Sequence, residues 1–246
     1  MFDIYNNQTK YERKKTNNLL DRYFPIYKCN DTDNKFIEEF YKGINSVSPE
    51  ISVIGGDITA SKNDIYISIT AIGSDNGRKI SSRKNALHGY VIVTKGFHGS
   101  SAKGLEELLN KNYNGKHVLS HIAPELEFDF SKQIAENISA EYAMMDTSDG
   151  LADALFTISE ASGVMMEIDF DKIPCDEVVL ELENCEEYIL YGGEDYGLVA
   201  TVDDPLDLNV VGEVKEGSGI KINYEDSSKI ITKSSLEGNL FDHFKE

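Results

Sequence analysis

Residues 142–163 run as a strand, an acidic turn and a helix with no spacer between them. Tyr142, Ala143, Met144 and Met145 form a short apolar run, Asp146-Thr147-Ser148-Asp149-Gly150 breaks it, and Leu151, Ala154, Leu155, Ile158 and Ala161 then recur at helical spacing until Gly163. A strand and helix joined this tightly each keep one apolar face. They can bury both only in a layered architecture with more strands beside the first.

The rest of the chain supplies those strands. Met165, Leu198, Val210 and Ile220 open apolar runs predicting strands over 165–170, 198–202, 210–214 and 220–224, and a further strand falls at 90–94. A Gly/Ser loop at 95–101 leads into a helix expected to bury Ala102, Leu105, Leu108 and Leu109, and another helix is expected at 129–138. Upstream, Phe36, Ile37, Phe40, Ile44 and Val47 predict a helix over 33–46, and 51–54 predicts a short strand ending in Gly55-Gly56-Asp57. Ile65, Ile67, Ile69 and Ala71 alternate with polar residues, as a half-buried strand does. Asp75-Asn76-Gly77 marks a turn within a polar stretch and places a domain boundary there. The expected fold is therefore α/β (α+β) with mixed sheets and outer helices. It comprises a polar, disordered tail over 1–22, a partial N-terminal domain over 23–75 and a C-terminal domain over 76–246.

Composition narrows the partners. There are 43 acidic against 24 basic residues, a net charge of −19, so nucleic acid is not expected as a partner. No apolar run approaches the roughly 20 residues that cross a bilayer, and the first residues lack the apolar core of a secretion signal. No membrane partner and a cytoplasmic location are expected. Cys29, Cys175 and Cys185 form no C-x-x-C pair, which argues against a disulfide framework or a zinc site.

Three glycine–acid junctions stand out: Gly55-Gly56-Asp57, Asp146 to Gly150, and Gly192-Gly193-Glu194-Asp195-Tyr196. Glycines let backbone approach a ligand, helix N-termini favour phosphate, and Mg²⁺ is usually held by one or two carboxylates plus phosphate oxygens. Each junction also has a plain structural explanation. Ser148 or Asp149 can be an N-cap, worth about 1 kcal/mol, and each glycine pair can be a simple turn or bulge. The loop from Gly96 to Ser101 lacks the G-K-[ST] ending of a Walker A sequence. His98 and His121 have no partner at metal-ligand spacing and are read as surface or packing residues.

Taken together and in order, these segments resemble a known family. IGGDIT (54–59), MMDTSDGLAD (144–153), LYGGEDYGL (190–198), VGEVKEG (211–217) and FDHF (241–244) are similar to thiamine-monophosphate kinase, of the aminoimidazole ribonucleotide synthetase-like superfamily. The resemblance implies a two-domain enzyme that transfers the γ-phosphoryl group of ATP to thiamine monophosphate, with several Mg²⁺ ions and a homodimeric assembly. It implies Asp57, Asp146 and Asp149 as Mg²⁺ ligands. It also implies Tyr41, Gly56, Asp57, Arg83 and Ser148 as ATP contacts, and Glu194 and Phe241 as substrate contacts.

The match starts near Phe36. The family's early acidic pair, its Ser-Thr-Asp strand and its Asn-Leu-Ser-Asp helix are not found before it, so impaired turnover and a doubtful dimer are expected. Gly197 replaces the usual Glu, Phe241 the usual Trp or Tyr, and the 95–101 loop is one residue longer. Two other readings stay open: a remnant that binds nucleotide or serves as an interaction module, and another ATP-using member of the superfamily.

Overall fold

In the computed structural model the described residues are 21–28, 34–47, 52–62 and 64–238. They divide into two compact units between Gly77 and Arg78.

Unit 1 is built on β1 (Asp21–Lys28), with α1 (Asn34–Val47), β2 (Ser52–Ala60), β3 (Tyr66–Ile67) and β4 (Thr70–Ile72). β2 pairs with β1 in parallel, while β3 and β4 pair with it antiparallel. β2 does not stop at the glycines. It runs through Gly55, Gly56 and Asp57 to Ala60, in register with Tyr23 to Lys28 and with a register shift opposite Ile54. The single half-buried strand expected around Ile65 is two short strands instead, and Ile65, Ile67, Ile69 and Ile72 are all exposed. The alternation signals a face to be covered, and no described layer covers it. α1 has the expected amphipathic spacing but no buried residue, its Phe36 and Phe40 rings stacking on each other at 6.5 Å.

Unit 2 contains β5 (Val91–Lys95), α2 (Ser100–Leu109), α3 (Val118–Ile122), α4 (Phe128–Asn137), β6 (Ala143–Asp146), α5 (Leu151–Ser162), β7 (Val164–Asp169), α6 (Glu177–Leu180), α7 (Cys185–Tyr191), β8 (Leu198–Val202), β9 (Val210–Glu216), β10 (Gly219–Asn223), β11 (Ser228–Ile231) and α8 (Lys233–Glu237). Its strands form one seven-stranded sheet in the order β11-β10-β7-β9-β5-β8-β6. Only β10 and β7 are parallel neighbours; the other pairs are antiparallel.

Strand alternation sorts the core into two layers. Ile92, Met166, Ile168, Val199 and Val211 face α5, whose Leu151, Leu155 and Ile158 are fully buried. Val93, Ala200 and Val202 face α4 through Phe130 and Ile134. Each of the Val, Ile, Leu, Met and Phe side chains among these contributes about 1.5–3 kcal/mol of burial. α5 ends where the sequence says it should, at Gly163, whose φ of 68° is left-handed and whose N–H returns to the Ser159 carbonyl at 2.8 Å.

α2 departs from expectation. Its buried face is Ser100, Ser101 and Gly104, while Leu105 and Leu109 are exposed. The cause is a close backbone crossing: a Cβ at Gly104 would lie 2.1 Å from the His117 carbonyl oxygen, so only the small-residue face can meet the start of α3. Among the described residues no helix is long and apolar enough to cross a membrane. Cys175 and Cys185 are free thiols, and Cys29 lies outside the described residues.

Candidate active site

β6 delivers Asp146 to the sheet end, and the turn to α5 follows directly. Thr147 is fully buried and donates its N–H to the Gly197 carbonyl at 2.9 Å. Gly150 closes the turn onto the Thr147 carbonyl at 3.1 Å. Its φ of 105° and ψ of 158° belong to glycine alone, and a Cβ there would lie 3.1 Å from the Leu190 carbonyl oxygen. Gly150 is itself the N-cap of α5, so neither Ser148 nor Asp149 caps the helix. The capping explanation of this motif is thereby removed. Among the described residues the Asp146 and Asp149 carboxylates form no ion pair, and both side chains are exposed beside the half-buried Ser148.

The Gly192–Tyr196 junction lies against this turn. Glu194 donates its N–H to the Ser148 carbonyl at 2.7 Å, and a Cβ at Gly193 would sit 2.8 Å from that same oxygen. Glu194 and Tyr196 both adopt left-handed φ values, 65° and 51°, which non-glycine residues rarely take. The zigzag leaves Glu194 exposed on the side of Ser148 and turns Asp195 inward. Two junctions that start 46 residues apart in sequence, at Asp146 and Gly192, thus form one surface, with Asp146, Asp149 and Glu194 close enough to act together on Tyr196. Burial first, then Glu194, Asp146 and Asp149, raise that phenol.

Asp195 is the residue that sequence reasoning missed. Its carboxylate accepts the N–H groups of Gly99 and Ser101 at 2.6 and 2.7 Å, filling the N-terminus of α2. Burial pushes its pKa up to about 7, while the backbone donors pull it back. The Gly/Ser loop therefore already holds a protein anion where a phosphate was considered. The available signal was GGEDY itself, whose two acids have opposite fates.

Asp153, one turn into α5, is half-buried. Its pKa is raised by burial and by Asp149 and Asp146, with Arg83 opposing. Arg83 is exposed in a turn closed by Asn85 N–H to the Ser82 carbonyl at 2.9 Å. The Ser162 hydroxyl, at the far end of α5, donates to the Arg83 carbonyl at 2.7 Å and accepts the Ala86 N–H at 3.1 Å. The Arg83 backbone is thus anchored away from Asp149, and only its charge reaches the first turn of α5.

In unit 1, Asp57 and Gly56 are exposed on β2, Asp57 accepting the N–H of its neighbour Ile58 at 2.9 Å, and Tyr41 is half-buried on α1. Phe241 and the rest of FDHF lie outside the described residues. Among the described residues no three His, Cys, Asp or Glu side chains converge as a ready-made metal cage. The donor set fits Mg²⁺ in its usual mode, one or two carboxylates completed by phosphate oxygens and water.

Beside the acidic surface, a cleft of about 670 Å³ opens between the end of β5, the loop before α4 and the segment after β7. Lys95, Phe97, Glu127, Lys172 and Cys175 line it, with Asp195 beneath.

No protein-family model matches the chain. The thiamine-monophosphate kinase of Aquifex aeolicus is 30% identical over 220 residues, covering 82% of this chain and 69% of that protein. The chain belongs to the thiamine-monophosphate kinase family. The Bacillus subtilis member is 28% identical over 232 residues, covering 85% of this chain and 70% of its own. Among solved structures, AaThiL complexed with AMPPCP and TMP aligns with a TM-score of 0.76 at 28% identity, over 92% of this chain and 74% of that one. The hydrogenase maturation protein HypE of E. coli shares the fold at 14% identity, with a TM-score of 0.67.

Within this family the chain's Gly197 has a local explanation. A Cβ there would lie 2.7 Å from the Lys95 carbonyl oxygen and 3.2 Å from the His98 ring. His98 is fully buried, bonded to the Thr94 hydroxyl at 2.9 Å and held neutral by burial, its pKa lowered to about 4. It is a packing residue, and it fills the space a side chain at 197 would need.

Proposed function

We infer that this chain phosphorylates thiamine monophosphate with ATP, giving thiamine diphosphate. The observation that carries the reading is the joined surface of the Asp146–Gly150 and Gly192–Tyr196 junctions, with uncapped, unpaired acids presented on a rigid turn. Membership of the kinase family supports it, as does the likeness to a relative solved with AMPPCP and TMP.

The chemistry asks little else of the protein. The acceptor oxygen belongs to a phosphate already ionised near neutral pH, so no general base is required. Positioning two polyanions and offsetting their charge is the task. Asp146 and Asp149 would hold Mg²⁺, which neutralises phosphate charge when bound, and Asp57 of unit 1 is likewise assigned to metal. Gly56, Ser148, Arg83 and Tyr41 are assigned to ATP, and Glu194 and Phe241 to the acceptor. Unit 1 is read as part of the ATP-binding and dimerisation domain, unit 2 as the C-terminal domain, and the cytoplasm as the location. A homodimer formed through the sheet of unit 1 would cover Ile54, Ile58, Ile67 and Ile72, which are exposed in the single chain.

The test is formation of thiamine diphosphate from thiamine monophosphate, ATP and Mg²⁺ by the purified chain. Asp146→Asn should lower turnover by about 10³-fold, the scale of losing one charge-neutralising element in phosphoryl transfer. Wild-type protein that binds ATP equally well with and without Mg²⁺ would remove the metal assignment.

A further inference from the structure

We propose that Lys95 binds the phosphate of the acceptor and that the cleft beside it receives the acceptor's rings. The proposal rests on the reading of this chain as a thiamine-monophosphate kinase.

Strand register carries the argument. Lys95 on β5 pairs with Leu198 on β8, and Leu198 pairs with Asp146 on β6. Residues in register on neighbouring strands project from the same face, and two strand spacings place Lys95 and Asp146 about 10 Å apart. The face is the one that packs on α4, since Val93, Ala200 and Met144 lie two residues along their strands from Lys95, Leu198 and Asp146. A lysine and a proposed Mg²⁺ ligand therefore rise from one face of the sheet end on either side of the half-buried Leu198, so a phosphate lying over Leu198 would meet both.

Lys95 is exposed and forms no ion pair among the described residues, although Glu127 lies within electrostatic reach. The other cation on the cleft, Lys172, is already bonded to Asp169 at 2.7 Å. At a sheet end otherwise crowded with acids, an uncommitted ammonium is suited to an anionic group brought in by the substrate. The cleft beyond it matches the remainder of the acceptor. Phe97, 63% exposed, lines the cleft, and Leu180 adds apolar surface to its lining. Glu125 and Glu127 line the same wall. An aromatic face with nearby carboxylates favours a flat cationic ring, which a thiazolium is. A phosphate held at one end and a cationic heterocycle at the other together define the acceptor class: the monophosphate of a thiazolium alcohol.

Because Lys95 is exposed and unpaired, its replacement leaves the fold intact, and binding can be measured without turnover. Titration calorimetry of the full chain with thiamine monophosphate, in Mg²⁺ and AMPPCP, is the experiment. Lys95→Met should weaken thiamine monophosphate about tenfold or more, as loss of a charge-assisted contact does, with AMPPCP affinity unchanged and Lys95→Arg retaining most of the binding. Phe97→Ala should weaken thiamine monophosphate severalfold while leaving AMPPCP unaffected. Wild-type affinity in Lys95→Met would overturn this proposal and leave the kinase reading standing. A parallel loss of AMPPCP affinity would move Lys95 to the nucleotide and overturn it too. Wild-type chain that binds AMPPCP but not thiamine monophosphate would overturn the kinase reading, and the cleft assignment with it.

Discussion

Asp57 in unit 1 and Asp146 in unit 2 both belong to glycine–acid junctions that end an apolar run, yet their surroundings differ in kind. Asp146 leads into a turn fixed by Thr147 to Gly197, Gly150 to Thr147 and Glu194 to Ser148, with Gly150 and Gly193 pressed against other backbone. Asp57 sits within a strand, exposed, its carboxylate bonded among the described residues only to the next N–H. Unit 2 has buried layers on both faces of its sheet, whereas the described side chains of unit 1 include none that is buried. The same glycine–acid vocabulary therefore yields a carboxylate on a backbone-fixed turn in one unit and, among the described residues, an exposed carboxylate on an unburied strand in the other. Preorganisation is what a phosphoryl-transfer site needs from its charges, and unit 2 supplies it from local backbone alone.

The largest effect expected from this contrast is on stability. Gly150→Ala places a Cβ on a φ of 105° and within 3.1 Å of the Leu190 carbonyl oxygen. It should cost about 3–4 kcal/mol in urea unfolding, whereas Asp57→Asn should fall within about 0.5 kcal/mol of wild type. Comparable losses for the two would show that the β2 junction is as tightly built as the β6 junction, and the contrast would fail.

A second effect, of about 2–3 kcal/mol, concerns pH. Burial moves two neighbouring groups of unit 2 in opposite directions from their ordinary values: His98 from 6.5 down to about 4, and Asp195 from 3.8 up to about 7. As pH falls from 6.5 to 4, the unfolded chain protonates His98 while the folded chain resists, so stability is lost. Across nearly the same window the folded chain takes a proton on Asp195 that the unfolded chain does not, so stability is gained. The two offset in the wild type. Asp195→Asn leaves only the His98 loss, and its unfolding free energy should drop by about 2–3 kcal/mol between pH 6.5 and pH 4, more steeply than wild type. Parallel pH profiles for the two proteins would show that Asp195 stays ionised at the α2 N-terminus.

What could be read in the sequence follows the range of the forces involved. The helices and strands of unit 2 were visible because apolar periodicity reports burial directly: α5 begins at Leu151 and stops at Gly163, and β8 spans Leu198–Val202 as expected. The buried face of α2 was misread because the crossing at Gly104 depends on His117, whose approach leaves no local mark. β1 was not foreseen, since Pro25 interrupts a run of β-favouring residues and prolines are uncommon inside strands. The glycine–acid junctions were legible as motifs, but their assembly was not. Asp195 finds its donors 94 and 96 residues upstream, and no local spacing shows which acid of GGEDY turns inward. Ser148 and Asp149 were ambiguous between cap and ligand until Gly150 took the cap position.

The smallest effect asks whether the rigidity of unit 2 reaches Arg83. One hydroxyl, that of Ser162, holds both sides of the Arg83 turn, donating to the Arg83 carbonyl and accepting from the N–H of the buried Ala86. Further bonds steady the same turn: Ser82 N–H to the Tyr142 carbonyl at 3.1 Å and the Asn85 amide to Glu141 at 2.9 Å. Ser162→Ala should therefore cost only about 1 kcal/mol of stability, the net worth of a typical hydrogen bond. If Arg83 meets ATP phosphates, the loosened turn should raise the KM for ATP a few-fold while the KM for thiamine monophosphate stays put, and Ser162→Thr, which keeps the hydroxyl, should restore it. A general weakening of the fold would move both constants together. An unchanged KM for ATP in Ser162→Ala, alongside a raised one in Arg83→Met, would confine the preorganised part of unit 2 to the Asp146 and Glu194 junctions and leave Arg83 a mobile arm that finds its phosphate by charge alone.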